Sequence, residues 1–233
     1  MTLLFQVTRR LLRSARLSLG LLLGRRLALF AAIDVLVLGW LLQSMLLASE
    51  GNARDLYRYA FLLPSLILAL PALAGMVDLE RRAGCLDLAL SAPAAEAYFL
   101  RRAGAVCAVV AAQGVAVMVL GWIFTDHGFP LISPLVQIVV ISLFLGAVSL
   151  FWAVRLRTSG GVWLASAVTV GLMSRWFFFS PIPPRYGSVY GPFLPGADES
   201  LAWLGSLAVL ATGTALFYLY ARRRLRRPER MLS

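Results

Sequence analysis

The sequence contains no lysine; all 22 of its basic residues are arginine. A phosphate-binding loop of the Walker type needs a lysine on the nucleotide phosphates, and Schiff-base chemistry needs one as nucleophile, so neither can reside in this chain. Histidine is almost as scarce. His127 stands alone beside Asp126, which excludes a two-histidine zinc site and an HExxH motif within one chain. Cys85 and Cys107 have neither CxxC nor any metal-ligand spacing and are expected to be free thiols. Charged residues make up only 14% of the chain, with no carboxylate cluster in its apolar stretches, so no catalytic, cofactor or metal site is expected.

What the chain has in abundance is apolar surface. Its 233 residues are 60% hydrophobic and its mean hydropathy is +0.81, which calls for a bilayer as solvent. A helix needs about 20 apolar residues to cross the hydrocarbon. Six such stretches follow one another at 27–47, 57–77, 103–124, 131–154, 162–180 and 201–220, so the expected fold is an all-α integral membrane domain filling the whole chain. The net charge of +11 could suggest nucleic acid, but the arginines flank the spans and are better read as topology signals and contacts to anionic membrane lipids. Eighteen of them fall in segments assigned to one side and three (Arg54, Arg58 and Arg185) in the opposite loops. The positive-inside rule then puts both termini, including the basic tail 221–233, in the cytosol.

Residues 1–24 place Arg9, Arg13 and Arg16 near one helical face and Leu4, Leu11, Leu12 and Ala15 largely on another, the pattern of an amphipathic helix lying in the interface. A signal peptide or a mitochondrial presequence fits less well: arginines interrupt any apolar core, and no small-residue cleavage site follows it. Pro64 and Pro71 inside the second span and Pro134 near the start of the fourth each remove a helical hydrogen bond and can kink their helices. Between the last two spans, Pro181, Pro183, Pro184, Pro192 and Pro195 are interleaved with Tyr186, Tyr190 and Phe193. This is too apolar for a free linker and suits an irregular or re-entrant outer segment. Two ionisable groups fall within the spans, Asp34 in the first and Arg175 in the fifth, and groups there are functional candidates because they are costly to insert. The structural readings are that Asp34 pairs with a basic residue and that Arg175 snorkels outward.

The connection 78–102 is long and mixed. Two arginine pairs bracket Leu86, Leu88 and Leu90, followed by Ser91, Pro93 and Glu96, a pattern that starts a second short helix. On physical grounds it is either a docking element held rigidly at the ends of two spans or a solvated linker. The run Glu80, Arg81, Arg82, Gly84, Cys85, Leu86, Asp87, Ala89, Leu90, Ser91, Pro93, closing on Phe99 and Arg102, resembles the hallmark of permease subunits of type-2 ATP-binding-cassette (ABC) exporters. There an acidic and basic run precedes Gly-Thr-Leu-Glu, a leucine-rich step, a small residue and proline. The chain departs from that pattern at Cys85, Ala89 and Ala95.

The resemblance implies a bacterial inner-membrane permease working as a homo- or heterodimer above two nucleotide-binding subunits, which would bind the ATP and Mg that this chain cannot. It makes 78–102 a cytosolic coupling helix. Glu80, Arg81, Arg82 and Asp87 would make polar contacts to the ATPase, and Leu86, Leu90 and Phe99 would fill a groove or pack under the spans, with Gly84, Ser91 and Pro93 in the same interface loop. Export is the implied activity, further envelope proteins are possible partners, and nucleic acid is not. The aromatic and apolar character of the last two spans, with Trp163, Trp176 and Trp203, suits a lipid or amphiphile as substrate, with haem, drugs and polysaccharide lipids left open. The rival reading is a membrane scaffold that recruits cytosolic proteins through the same loop and transports nothing.

Overall fold

The computed structural model describes residues 20, 23–48, 56–91, 95–124, 131–175 and 200–226, and all of the regular structure among them is helical. Helix α1 is Gly24–Ala48. Two wide-coiled stretches, Leu56–Leu62 and Ser65–Ala69, lead into α2, Leu70–Arg82. A short helix, α3, Leu86–Ser91, precedes α4, Ala95–Phe124, and α5 (Ile132–Ala153), α6 (Ser159–Arg175) and α7 (Ser200–Leu225) complete the bundle. Five helical segments among the described residues are long and apolar enough to cross a membrane: Gly24–Ser44, Tyr59–Arg82, Glu96–Phe124, Ile132–Ala153 and Trp203–Leu225. The fifth expected span corresponds to α6, which is apolar but has 17 residues; the remainder of 162–180 lies outside the described residues. So do most of the expected interfacial helix 1–24, the outer segment 181–199, His127 and the tail beyond Arg226.

The bundle is organised around α5, which packs against α2, α4, α6 and α7. Phe144 through Leu150 are buried without interruption, so no lipid-facing stripe runs through this half of the helix. By contrast Val35, Leu36 and Trp40 of α1 and Leu204 and Leu216 of α7 point outward, as apolar side chains do where lipid replaces water. Lipid tails are as apolar as leucine, so close packing and hydrogen bonds hold the helices together rather than the hydrophobic effect. Two glycines make that packing possible. A Cβ at Gly114 would lie 2.5 Å from Cδ2 of Phe61 and 2.9 Å from Cγ2 of Ile138, and one at Gly146 of α5 would collide with the Cys107 sulfur of α4. On the opposite side of α5, Phe144 and Phe151 meet Phe217 at ring-centroid distances of 6.1 and 5.0 Å, and Phe151 meets Tyr220 at 4.8 Å.

The prolines act in two ways. Pro64 and Pro71 cannot donate to the helix, and each ring crowds the carbonyl four residues earlier. The backbone responds by widening to i→i+5 turns on either side of Pro64. Leu70 donates its N–H to the Ser65 carbonyl, and the Ser65 hydroxyl takes the Phe61 carbonyl at 2.7 Å. Pro134 costs no hydrogen bond, because α5 begins at Ile132 and the first-turn N–H groups have no partner within the helix in any case. Hydroxyls inside the bundle are satisfied in the same internal way: Ser142 and Thr214 donate to the carbonyls of Ile138 and Leu210, each at 2.7 Å.

Replacing Gly146 by leucine forces a side chain into the α4–α5 contact, which should destabilise the bundle by about 1–3 kcal/mol, as overpacking does in well-packed cores. The expected outcome is a lower thermal unfolding midpoint of the purified protein in detergent, whereas leucine at Gly39, where an added Cβ meets nothing within 4 Å, leaves it unchanged.

Candidate functional site

The ends of α2, α4, α5, α6 and α7 meet in one charged layer, and the turn between α2 and α3 projects from it. Helix α2 stops at Arg82 because Gly84 takes a left-handed conformation, φ +68°, which costs glycine nothing. Gly84 N–H then bonds the Arg81 carbonyl at 3.1 Å and Cys85 N–H the Glu80 carbonyl at 3.0 Å, closing the two bonds of a Schellman cap. The turn delivers Cys85 to the start of α3, whose Ala89 N–H bonds the Cys85 carbonyl at 2.9 Å. Arg82, Ala83, Gly84 and Cys85 are exposed.

Beneath this turn lies a buried ion pair. Glu80 Oε1 accepts from Arg102 Nη1, and the Tyr98 hydroxyl donates to the same oxygen at 2.6 Å. The Arg102 side chain is 3% exposed and its guanidinium lies 4.9 Å from the Tyr98 ring centroid, so the cation is held by a carboxylate and by the face of an aromatic ring. Leu86, Leu90 and Phe99 are buried with it, so α3 lays its apolar side against the ends of the spans.

Three further contacts bind the layer together. Arg81 donates to the main-chain carbonyl of Arg157, between α5 and α6. Arg82 pairs with Asp78 one turn back at 2.9 Å and reaches the Ser159 hydroxyl at 3.4 Å. Glu96, at the start of α4, is clasped from α7 by two arginines. Arg222 reaches it through Nε at 3.2 Å and Nη2 at 3.4 Å, and Arg226 through Nε at 2.7 Å and Nη2 at 3.0 Å. Each guanidinium presents a fork to both carboxylate oxygens, the geometry that favours arginine over lysine at such a site.

Of the residues singled out from the sequence, Arg82 and Gly84 lie at the exposed turn and Arg81 is half-buried in the last turn of α2, while Glu80, Leu86, Leu90 and Phe99 lie beneath it. Asp87 and Ser91 belong to α3, but their side chains, like all of Pro93, lie outside what is described. Asp34 is buried in α1, on the order of 15 Å along the helix from Gly24. Its hydrogen-bond partner is an amide on a neighbouring span, Gln113 of α4, rather than a basic residue. Asp34 Oδ1 and Gln113 Oε1 have no hydrogen-bond partner among the described residues. Arg175 closes α6, and its side chain is not described. A second amide, Gln137 of α5, accepts from Trp203 Nε1 of α7 at 3.1 Å. Among the described residues no cluster of histidine, cysteine and acidic side chains could hold a metal.

Sequence reasoning missed the Glu96 clasp and the role of Tyr98. The clasp had a signal: Arg222 and Arg226 are spaced i, i+4 on one helical face, and Glu96 is the sole acid between Asp87 and Asp126.

Two substitutions test this layer. Glu80→Ala leaves a buried guanidinium without its carboxylate and should cost about 3–5 kcal/mol of stability, while adding Arg102→Met to it restores most of the loss. Denaturant unfolding in mixed micelles reads both variants. Glu96→Gln removes the charge that two arginines share. It should raise the rate of tryptic cleavage at Arg222 and Arg226 several-fold without moving the thermal midpoint of the bundle.

No protein-family model matches the chain, and no curated protein or solved structure matches it significantly. What its helices establish is a multi-pass, all-helical membrane protein.

Proposed function

We propose that this chain is the permease subunit of an ATP-driven transporter of the type-2 ABC class. It sits in a bacterial inner membrane with both termini in the cytosol and pairs with a second permease above separate nucleotide-binding subunits. The observation that carries this reading is the exposed turn Arg82–Cys85, set at the ends of two spans and backed by the buried Glu80–Arg102 pair. A surface loop free to flex would dissipate a push from below. This turn is tied to α4 through Arg102, to the α5–α6 connection through Arg81 and to α6 through Arg82, while the α4 start is tied to α7 through Glu96. Displacement of the turn is therefore passed to four helices together, as rigid-body mechanisms require.

On this reading Arg81 and Arg82 meet acidic groups of the ATPase, and Glu80, Leu86, Leu90 and Phe99 keep the hairpin stiff. The wide turns flanking Pro64 are the element of the second span that can yield, because i→i+5 segments recur at functional positions inside helices. The buried Asp34–Gln113 contact and the exposed apolar faces of α1 and α7 suit movement of a lipid or amphiphile along the bundle. ATP and Mg belong to the partner, since no lysine is present for a phosphate loop.

The experiment is co-expression with candidate nucleotide-binding subunits from the same genome, taking forward one that co-purifies with the chain. The double variant R81E/R82E should lose co-purification of that subunit and the part of its ATPase rate that depends on the permease. Unchanged co-purification with an unchanged rate overturns the coupling assignment. Retained binding with an ATPase rate indifferent to the chain points instead to a scaffold.

A further inference from the structure

Arg155 and Arg224 are two of the arginines in the charged layer that no described acid pairs. Asp78 is taken by Arg82, Glu80 by Arg102, and Glu96 by Arg222 and Arg226. Arg155, just past the end of α5, pairs with no carboxylate among the described residues, and neither does Arg224 of α7. Arg224 has its Nε–H buried without an acceptor. Yet Arg155 is not waving in solvent. Its guanidinium stands 5.8 Å from the Phe151 ring centroid and 5.9 Å from that of Tyr220, at the edge of the aromatic cluster joining α5 to α7. Two rings hold the cation by cation–π attraction, and its N–H donors suit a planar or tetrahedral anion.

The surface below these arginines is equally specific. Leu216, Tyr220 and Arg224 follow one another at i, i+4 spacing on α7 and so share one face. Leu216 is 63% exposed and Tyr220 38%. From mid-membrane outward the strip runs from aliphatic to amphipathic aromatic to cation, the order of acyl chain, interface and headgroup in a lipid leaflet.

We propose that the α5–α7 edge is a binding site for an anionic phospholipid. Its phosphate sits between the guanidiniums of Arg155 and Arg224, and its acyl chain lies along the Leu216–Tyr220 face. The phosphate oxygens supply the counter-charge that both guanidiniums lack. The inference rests on the membrane reading of the bundle and is independent of any transport activity.

The test uses the full chain purified in mild detergent, loaded with phosphatidylglycerol or phosphatidylcholine and read by native mass spectrometry of the lipid retained. Phosphatidylglycerol should be retained preferentially, and R155Q and R224Q should each lower its retention about fivefold, the effect of removing one arginine at an anionic surface. R101Q, which removes an exposed charge from the same layer away from the α5–α7 edge, should leave retention unchanged. Tyr220→Leu keeps every charge but releases Arg155 and should weaken retention as well, which separates a built site from net charge. Equal losses in R101Q and R155Q would reduce the effect to diffuse electrostatics and overturn the site. So would unaltered retention in R155Q with a native thermal midpoint. Displacement of phosphatidylglycerol by millimolar inorganic phosphate would make it a free-phosphate site and overturn the lipid assignment.

Discussion

Glu80 and Arg102 are buried against each other where helices meet, and neither can leave without exposing the other as an uncompensated charge in a poorly solvated place. That condition governs the charged layer. It fixes the end of α2 against the start of α4 and so determines where the intervening turn can emerge. It also draws Tyr98 into the same carboxylate and leaves α3 no position except flat against the spans, with Leu86 and Leu90 inward. The Schellman cap at Gly84 is the backbone counterpart of this arrangement, because it turns the chain two residues after the end of α2.

The membrane part obeys a different rule. Lipid offers no hydrophobic gain for bringing two apolar helices together, so α5 holds its neighbours by closeness at Gly114 and Gly146, by stacked aromatics towards α7, and by a few polar ties such as Trp203–Gln137 and Trp152–Thr169. These ties sit on different neighbours of α5, so each fixes one interface. Among the described residues, the wide turns flanking Pro64 interrupt this regularity within a span. They fall in the segment that packs on α1 and α4 and feeds directly into the charged hairpin.

Arginine without lysine has a structural consequence as well as a chemical one. Glu96 accepts forked donors from two side chains of α7 at once, and Arg102 stacks on a ring while pairing with an acid. An ammonium could do neither with the same geometry. Among the described residues Asp78, Glu80 and Glu96 are each paired with arginine, whereas Arg155 and Arg224 have no carboxylate partner.

The sequence alone determined the helical, multi-pass character, because bilayer thickness and backbone hydrogen bonding leave runs of apolar residues no other solution. It also placed the charged connection around Arg81 and Arg82 and excluded a lysine-dependent nucleotide site, since those depend only on residue identity and order. Which side chains meet was decided by the tertiary structure. Asp34 with Gln113, Glu96 with Arg222 and Arg226, and Glu80 with Arg102 join residues far apart in the chain, whose mutual distance depends on how the helices rotate and cross. Periodicity within one span says which face is apolar, but it carries no information about which neighbour that face will find.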